Sequence, residues 1–296
     1  MKITFEDQTN IISNVKYQML PDNPIQFSRA TFGSFKGRSL IMGGRNSNTC
    51  LEFDEEKYQV IPSLNVERWF AASTFFRNKV VVAGGYHYRH LDIRNCCGDN
   101  EYTNKLDAIE ILDLDKSNLG SQWIESPSRL PIKVFCHTFV TLKNKLFLIG
   151  GCDGSNALDK IWQGTLDVQS NCWGNTWVIS WVEMGLKLQK KRQCHFSFVV
   201  SNQIIIFGGD RIGLDGELWE DDVVEVIEGN ELYQGPNVPF ELDSIHDQAV
   251  LDRHNRIIIR SKDHGLIIYD HQEGSFTHYN NFKLKEKRHG YAAILQ

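Results

Sequence analysis

Candidate metal-binding side chains cluster in one segment, residues 86–105. The segment contains His87, His90, Cys96 and Cys97. Structural zinc sites usually take their ligands in pairs, with two to four residues between two cysteines and a second pair further along the sequence. Cys96 and Cys97 are adjacent, and no CxxC or HxxxH occurs anywhere in the sequence. We therefore predict no metal site and no cofactor, and we interpret the segment as a solvated or partner-binding loop.

Common catalytic motifs are absent from the sequence. It has no GxSxG, no HExxH, no Walker loop and no GxGxxG that follows a strand, so the familiar sequence signs of hydrolysis and phosphate binding are missing. Acidic pairs such as Asp221-Asp222 are interpreted as solvated surface. The sequence therefore predicts a protein that is not an enzyme.

Arginine and aromatic side chains are the remaining candidates, because both types are enriched at the centres of protein interfaces. A guanidinium group can donate two parallel hydrogen bonds to one carboxylate, so we expect a partner protein to bind through an acidic segment or through its C-terminus. The alternative is that several arginines pair with local acids such as Asp153. The predicted partner-binding residues are Arg29, Arg45, Arg68, Trp69, Tyr86, Tyr88, Arg89, Arg192, Arg211 and Arg288.

Short apolar runs that end in a glycine pair recur along the sequence and must position these residues. The first glycines of the four pairs are 41, 66 and 58 residues apart. Repeats of roughly 40–50 residues made of short strands are typical of propeller blades, and extra length goes into loops. The pairs are Gly43-Gly44, Gly84-Gly85, Gly150-Gly151 and Gly208-Gly209; a fifth run ends in Arg260-Ser261 instead.

The repeats predict an all-β fold, a six-bladed propeller with four antiparallel strands, a to d, in each blade. One blade is split between the termini, because residues 17–21 mirror residues 58–62 and residues 288–295 resemble a lone strand a. Sharing a blade pairs the exposed first and last strands. The predicted blades, within a single domain, are residues 27–62, 69–127, 134–185, 193–239, 245–280, and 289–296 together with 1–21.

The glycine pairs, with His137 and His195 each thirteen residues before the first glycine, resemble the kelch-repeat β-propeller family over the whole sequence. The resemblance implies protein–protein interaction, commonly as a substrate receptor of ubiquitin ligases or as a cytoskeletal or scaffold protein. No BTB or BACK region is visible, so we expect a bare propeller that acts as an adaptor or as a subunit of a larger complex. The alternative is one of the two enzyme types known on kelch-like propellers. One type is a copper-radical oxidase of sugars or alcohols, and the other is a sugar mutarotase.

Two histidines and three long connections complete the candidates. His137 and His195 are interpreted as hydrogen-bonded structural residues, with a place in the central channel as the alternative. In an antiparallel meander the b–c and d–a loops share one face, here called the loop face. The b–c connections 86–105 and 210–222 lie there, and so do Arg68, Arg192 and Arg288, just before strand a. A c–d insertion, residues 168–176, belongs to the opposite face.

Composition limits the function classes. The protein has 296 residues, is 41% apolar and carries a net charge of −5, which argues against general binding to nucleic acid or to an anionic membrane. No apolar run approaches 18 residues, and the N-terminus lacks a secretory signal. Seven cysteines, an odd number, are typical of a reducing compartment. We predict a cytoplasmic protein.

Overall fold

The computed structural model describes most of the protein, and every regular element in the part it describes is a β-strand. None of these residues forms a helix long and apolar enough to cross a membrane. The described residues are 2–8, 11–18, 28–35, 38–53, 57–88, 103–114, 122–171, 174–209, 222–242, 248–252, 254–261, 263–279 and 294–295.

Five four-stranded antiparallel sheets form the blades, and in each the strands lie side by side in sequence order. Between strands b and c of blade 2, a further short strand, β9 (Tyr86–Tyr88), pairs antiparallel with β10 (Thr103–Lys105). Blade 1 is β3 (Thr31–Phe35), β4 (Arg38–Met42), β5 (Cys50–Phe53) and β6 (Tyr58–Ile61). Blade 2 is β7 (Ala72–Phe76), β8 (Lys79–Ala83), β11 (Ala108–Asp113) and β12 (Ile124–Arg129), with β9 (Tyr86–Tyr88) and β10 (Thr103–Lys105). Blade 3 is β13 (Thr138–Leu142), β14 (Lys145–Ile149), β15 (Leu158–Asn171) and β16 (Gly174–Arg192). Blade 4 is β17 (Phe196–Val200), β18 (Gln203–Phe207), β19 (Asp222–Glu228) and β20 (Glu231–Val238). Blade 5 is β21 (Gln248–Leu251), β22 (Arg256–Ser261), β23 (Gly265–Asp270) and β24 (Ser275–Tyr279).

The apolar core lies in layers between neighbouring blades. One large cluster joins blades 2 and 3, and others join blades 1 and 2, blades 3 and 4, and blades 4 and 5. Strands b and c are therefore covered on both faces, which explains their continuous apolar runs; all five residues of β8 are buried. Strand d is more exposed, as in β6. The sequence prediction of an all-β propeller with four-stranded antiparallel blades is confirmed.

Strand a is the innermost strand of each blade. Strands β3, β7, β13 and β17 contact one another in succession around the centre. Hydroxyl groups hydrogen-bond between these strands, Thr74 with Thr141 at 3.0 Å and Thr138 with Ser197 at 2.7 Å. The blades are thus joined near the axis by polar contacts and further out by apolar layers.

The glycine pairs allow neighbouring blades to approach closely. The second glycine of each pair donates its N–H to a carbonyl in the connection that leads to the next blade; these acceptors, here called the connector residues, are Arg68, Val134, Arg192 and Leu242. A Cβ atom on Gly84 would lie 2.6 Å from the Val134 oxygen, and φ of Gly84 is +65°. Because a side chain would clash there and L residues rarely adopt that φ, the position requires glycine.

The c–d insertion of blade 3 differs from the prediction. Residues 168–176 were expected to form a loop, but β15 continues to Asn171 and β16 begins at Gly174, and the two strands pair, with Val168 opposite Trp177 and Asn171 opposite Gly174. The expectation of a loop is wrong for the described residues of this segment, because backbone pairing continues as far as Asn171 and Gly174.

The termini form a three-stranded sheet, with β1 (Lys2–Gln8) between β2 (Ile11–Gln18) and β25 (Ile294–Leu295). The expected division of residues 10–20 into strands c and d is wrong for the described residues, because β2 continues through the predicted boundary. Strand β25 pairs parallel with β1, whereas neighbouring strands of one blade were expected to be antiparallel. The structure describes five four-stranded blades, and the sixth stays a prediction.

Candidate functional site

A backbone ladder crosses four blades on the loop face. The amide of Phe70 donates to the carbonyl of Arg29 at 3.1 Å, that of Cys136 to Phe70 at 3.0 Å, and that of Cys194 to Cys136 at 2.8 Å. All four residues have positive φ, between 52° and 58°. Non-glycine residues rarely adopt this conformation, so the hydrogen bonds and the surrounding packing must hold it. These four residues, here called the inter-blade ladder, occupy the same place in successive blades.

Two exposed arginines stack on aromatic rings beside this ladder. The guanidinium of Arg29 lies 4.6 Å from the Phe70 ring centre, and that of Arg45 lies 5.7 Å from the Trp69 ring centre. Trp69 and Phe70 are half-buried and stack on each other at 5.1 Å. In the described part of the protein no carboxylate pairs with Arg29 or Arg45. Arg29, Arg45, Trp69 and Phe70, here called the Arg/aromatic patch, thus offer cationic groups above an apolar base.

Buried aromatic side chains support the patch from below. Tyr86 exchanges two backbone hydrogen bonds with Trp69, and its ring lies 4.1 Å from that of Phe135. Tyr86 is only 4% exposed. The expectation that Tyr86 contacts a partner directly is therefore wrong, because neighbouring rings cover it. Tyr88 is described by its backbone as the end of β9, where it pairs with Thr103.

Arg68, by contrast, is fully buried and forms an internal ion pair. Its Nη2 donates to Glu110 Oε1 at 2.6 Å, and its Nη1 donates to the carbonyls of Gly84 and Ala108. Glu110 also accepts the amide of Asn65 at 2.6 Å. Burial lowers the pKa of the Arg68 guanidinium, and the Glu110 charge opposes that change. The group therefore ties the connection after blade 1 to strand c of blade 2.

Arg192 repeats this arrangement between blades 3 and 4. Its Nε donates to Glu225 Oε1 at 2.8 Å, and its Nη1 donates to Asp222 Oδ1 at 2.6 Å and to the Gly208 carbonyl at 2.7 Å. Both Arg68 and Arg192 are 1% exposed. The expectation that these two side chains belong to open loops and bind a partner is wrong, because each is neutralised inside the fold. Arg89, Arg211 and Arg288 lie outside the described residues.

His137 and His195 lie between blades. A Cβ on Gly84 would meet the His137 ring, and one on Gly150 would meet the His195 ring, so each ring packs against a glycine of the preceding blade. His195 Nε2 hydrogen-bonds with Thr138 at 2.9 Å, as expected of a structural histidine. His137 has no hydrogen-bond partner among the described residues. Burial lowers the pKa of His137 to about 3 and that of His195 well below its usual value, so both rings are neutral.

Sequence reasoning missed part of the ladder and the residues beneath it, namely Phe70, Phe135, Cys136, Cys152 and Cys194. A usable signal was present, since every ladder residue stands fourteen positions before the first glycine of its blade. Cys136, Cys152 and Cys194 share one buried cluster with Tyr86 and Phe135. Burial raises the pKa of Cys152 to about 11 and raises the pKa of Cys136 well above its usual value. The thiols of Cys136 and Cys152 are therefore protonated at neutral pH.

Metal ligands do not converge in the described residues, where no three His, Cys, Asp or Glu side chains are placed to hold an ion. His87 is described, and its Nδ1 lies 3.2 Å from the carbonyl of Glu67. His90, Cys96 and Cys97 lie outside the described residues. Asp153, which was considered as an arginine partner, accepts the amides of Ser155 and Asn156.

Comparison with known proteins agrees with this architecture. Residues 134–173, which begin just before β13 and include all of β15, match the family model of the kelch motif. A probable serine/threonine-protein kinase of Dictyostelium discoideum is 29% identical over 135 residues, which is 46% of this chain but only 9% of that protein. The solved structure of YjhT superposes with a TM-score of 0.59 at 12% identity and covers 81% of this chain and 74% of its own.

The blade architecture and the likeness to YjhT define the class as a β-propeller with four-stranded antiparallel blades. Within it, residues 134–173 carry a kelch motif.

We expect Arg192→Met to lower the free energy of unfolding by about 3–5 kcal/mol, because Asp222 and Glu225 would remain buried without a counter-charge. The matched control is Arg129→Met, which breaks the half-exposed pair with Glu125 at 2.7 Å and should cost under about 1 kcal/mol. Urea unfolding of both variants measures the difference. Equal losses would show that Arg192 does not fasten the blades.

We also expect stability to fall in mild acid. An unfolded histidine binds a proton near pH 6.5, whereas folded His137, with its pKa of about 3, stays neutral. The unfolded state therefore gains protons first, and His137 should lower the free energy of unfolding by about 2 kcal/mol between pH 7.5 and pH 5.0. In His137→Ala this decrease should be smaller by that amount, because the imidazole that takes up the proton is gone. The variant should fold, since blades 1 and 2 have alanine at the same position, Ala30 and Ala71. Exposed His254→Ala is the control and should keep the full decrease in urea unfolding at both pH values.

Proposed function

We propose that this protein is an interaction module that binds an acidic segment or a free C-terminus of a partner protein at the Arg/aromatic patch. The observation that carries the proposal is the pair of exposed guanidinium groups, Arg29 and Arg45, each stacked on an aromatic ring and unpaired with any carboxylate of the described residues. A kelch propeller is a frequent scaffold for protein recognition, which supports this class of function.

The patch chemistry suits a carboxylate ligand. Stacking holds a guanidinium by its face and leaves its N–H groups free to donate. The half-buried rings of Trp69 and Phe70 lower the exposure of the contact to water, so hydrogen bonds to a charged ligand should each contribute roughly 1.5–3 kcal/mol, against under about 1 kcal/mol for fully solvated pairs. The net charge of −5 makes a local cationic patch unlike the rest of the surface. The patch should therefore select acidic segments, because its positive charge differs from the net negative charge of the protein.

The cellular setting belongs to the same proposal. An adaptor or subunit that recruits a partner to ubiquitin-ligase or cytoskeletal machinery fits the family, and a cytoplasmic place fits the cysteine content. The alternative function, a copper-radical oxidase or a sugar mutarotase, would be supported by about one equivalent of copper in the purified protein together with oxidase activity, or by mutarotation of a sugar.

We further propose that the propeller closes as a ring of six blades. Strand β25 pairs with β1 and also contacts β21, the innermost strand of blade 5. The innermost strand of a sixth blade is expected to lie in that position. A blade that takes strands from both termini would leave no open sheet edge.

Binding to the patch can be measured with arrays of peptides rich in Asp and Glu that end in a free carboxylate, compared with Asn/Gln versions that end in an amide. We expect the protein to prefer the acidic peptides, and Arg29→Gln with Arg45→Gln to weaken that binding at least about tenfold. Arg77→Gln is the matched control, because Arg77 is also exposed, has positive φ and stacks on Phe76 at 5.3 Å, but lies in the a–b turn on the opposite face. Loss of binding in the control alone, or on deletion of residues 168–176 alone, would place the site on that opposite face. No preference for acidic peptides would contradict the ligand class.

Ring closure predicts a strong effect of truncation. Deletion of residues 288–296 should expose the edges of β1 and β21, and the protein should aggregate or melt at a much lower temperature. The comparison is with the full-length protein, by size-exclusion chromatography and thermal unfolding. A monomeric truncated protein that melts near the temperature of the full-length protein would contradict the six-bladed ring.

A further inference from the structure

Two thiols of adjacent blades meet in the inter-blade ladder. Cys136 of blade 3 and Cys194 of blade 4 occupy equivalent positions, and the amide of Cys194 donates to the carbonyl of Cys136 at 2.8 Å. Their φ angles are 52° and 54°, so the two side chains leave the backbone in similar directions. The two side chains lie in one buried cluster, and the Cys194 thiol helps to raise the pKa of Cys136. In the other two ladder positions stand Arg29 and Phe70, so the thiol pair is particular to this junction.

The backbone hydrogen bond between Cys194 and Cys136 holds the two residues close together. In antiparallel ladders, residues paired by backbone hydrogen bonds have Cα atoms about 5.5 Å apart, and disulfides span about 4.4–6.8 Å between Cα atoms. The two cysteines are therefore close enough to be joined without separating blades 3 and 4.

A third thiol lies nearby but is held differently. Cys152 is fully buried, and its Sγ accepts the amide of Gly154 at 3.3 Å. Its backbone pairs with Phe135, the residue before Cys136. Cys136 is 9% exposed, Cys194 3% and Cys152 not at all. An oxidant therefore reaches Cys136 first, and the thiol in contact with Cys136 is that of Cys194.

We propose that Cys136 and Cys194 are a site of reversible oxidation, at which a peroxide joins blades 3 and 4 through a disulfide. Peroxide oxidises the Cys136 sulfur to a sulfenic acid, its O–O bond breaks and one water leaves. The Cys194 sulfur then attacks the Cys136 sulfur, an S–S bond forms, and the sulfenic oxygen leaves as a second water. In sum, two thiols and one hydrogen peroxide give one disulfide and two waters.

The environment makes this reaction slow and selective. Burial and the neighbouring Cys194 thiol raise the pKa of Cys136, and only the thiolate reacts with peroxide. The pair thus resists low levels of oxidant and responds to sustained exposure. Once formed, the bond would close a loop of about 58 residues, which stabilises the fold by restricting the unfolded state.

The test treats the full-length folded protein with hydrogen peroxide, blocks the remaining thiols with an alkylating agent under denaturing conditions, and maps the peptides by mass spectrometry. We expect a linked pair of peptides that contain Cys136 and Cys194, a mass loss of about 2 Da, and reversal by dithiothreitol. The melting temperature should rise by about 5 °C or more in the oxidised protein.

Three serine variants serve as controls. Cys194→Ser should abolish the linked peptides and the rise in melting temperature, whereas Cys152→Ser and the distant Cys50→Ser should preserve both. The peptide map of the wild-type protein decides the question even if Cys194→Ser folds poorly. A disulfide that involves Cys152, or a Cys136 that proceeds to sulfinic acid while Cys194 stays reduced, would overturn the proposal.

Discussion

The close backbone contact between blades at each glycine pair is the constraint on which the rest of the structure depends. In each pair, a Cβ on the first glycine would lie 2.6–2.8 Å from the carbonyl oxygen of the connector residue, and one on the second would lie 2.7–3.0 Å from a carbonyl at the start of its own blade. The pair is therefore enclosed by two backbones, and it donates a hydrogen bond to one of them. This contact sets the distance between blades, and the apolar layers and the inter-blade ladder follow from that distance.

Much of this arrangement could be predicted from the sequence because its signals are local. The apolar run, the glycine pair and the turn between strands a and b lie within about twenty residues, so the order of the four strands in each of five blades was predicted. Strand d of blade 1, Tyr58–Ile61, agrees in full, whereas every strand a begins three or four residues later than predicted. The full length of β15 and β16 was not predicted, because the polar residues 169–171 resemble a loop and only pairing with the opposite strand makes them extended.

The burial of Arg68 and Arg192 could not be predicted because their partners are distant in sequence. Glu110 is 42 residues from Arg68, and Glu225 is 33 residues from Arg192. From the sequence alone, an arginine just before strand a is interpreted as an exposed loop residue. Its burial becomes predictable only when the carboxylate on strand c that pairs with it is known. For the candidate site, the sequence therefore predicted the residue types but not which side chains are exposed. Arg29 and Arg45 are exposed, whereas Arg68 and Arg192, which the sequence favoured equally, are buried.

Comparison of the blade junctions explains what the buried arginines contribute. Glu110, Trp162 and Glu225 are equivalent, since each pairs with the residue two places before the first glycine of its blade. Between blades 2 and 3 the connector is Val134, in the same apolar cluster as Trp162, so the fold accepts an apolar junction there.

The charged junctions therefore do more than fill space, because a guanidinium that donates to one or two carboxylates and to two carbonyls holds the connection in a single orientation. Trp69 and Phe70 follow Arg68 directly in the sequence. The internal ion pair of Arg68 thus fixes the backbone that presents the two rings, and through them the positions of Arg29 and Arg45.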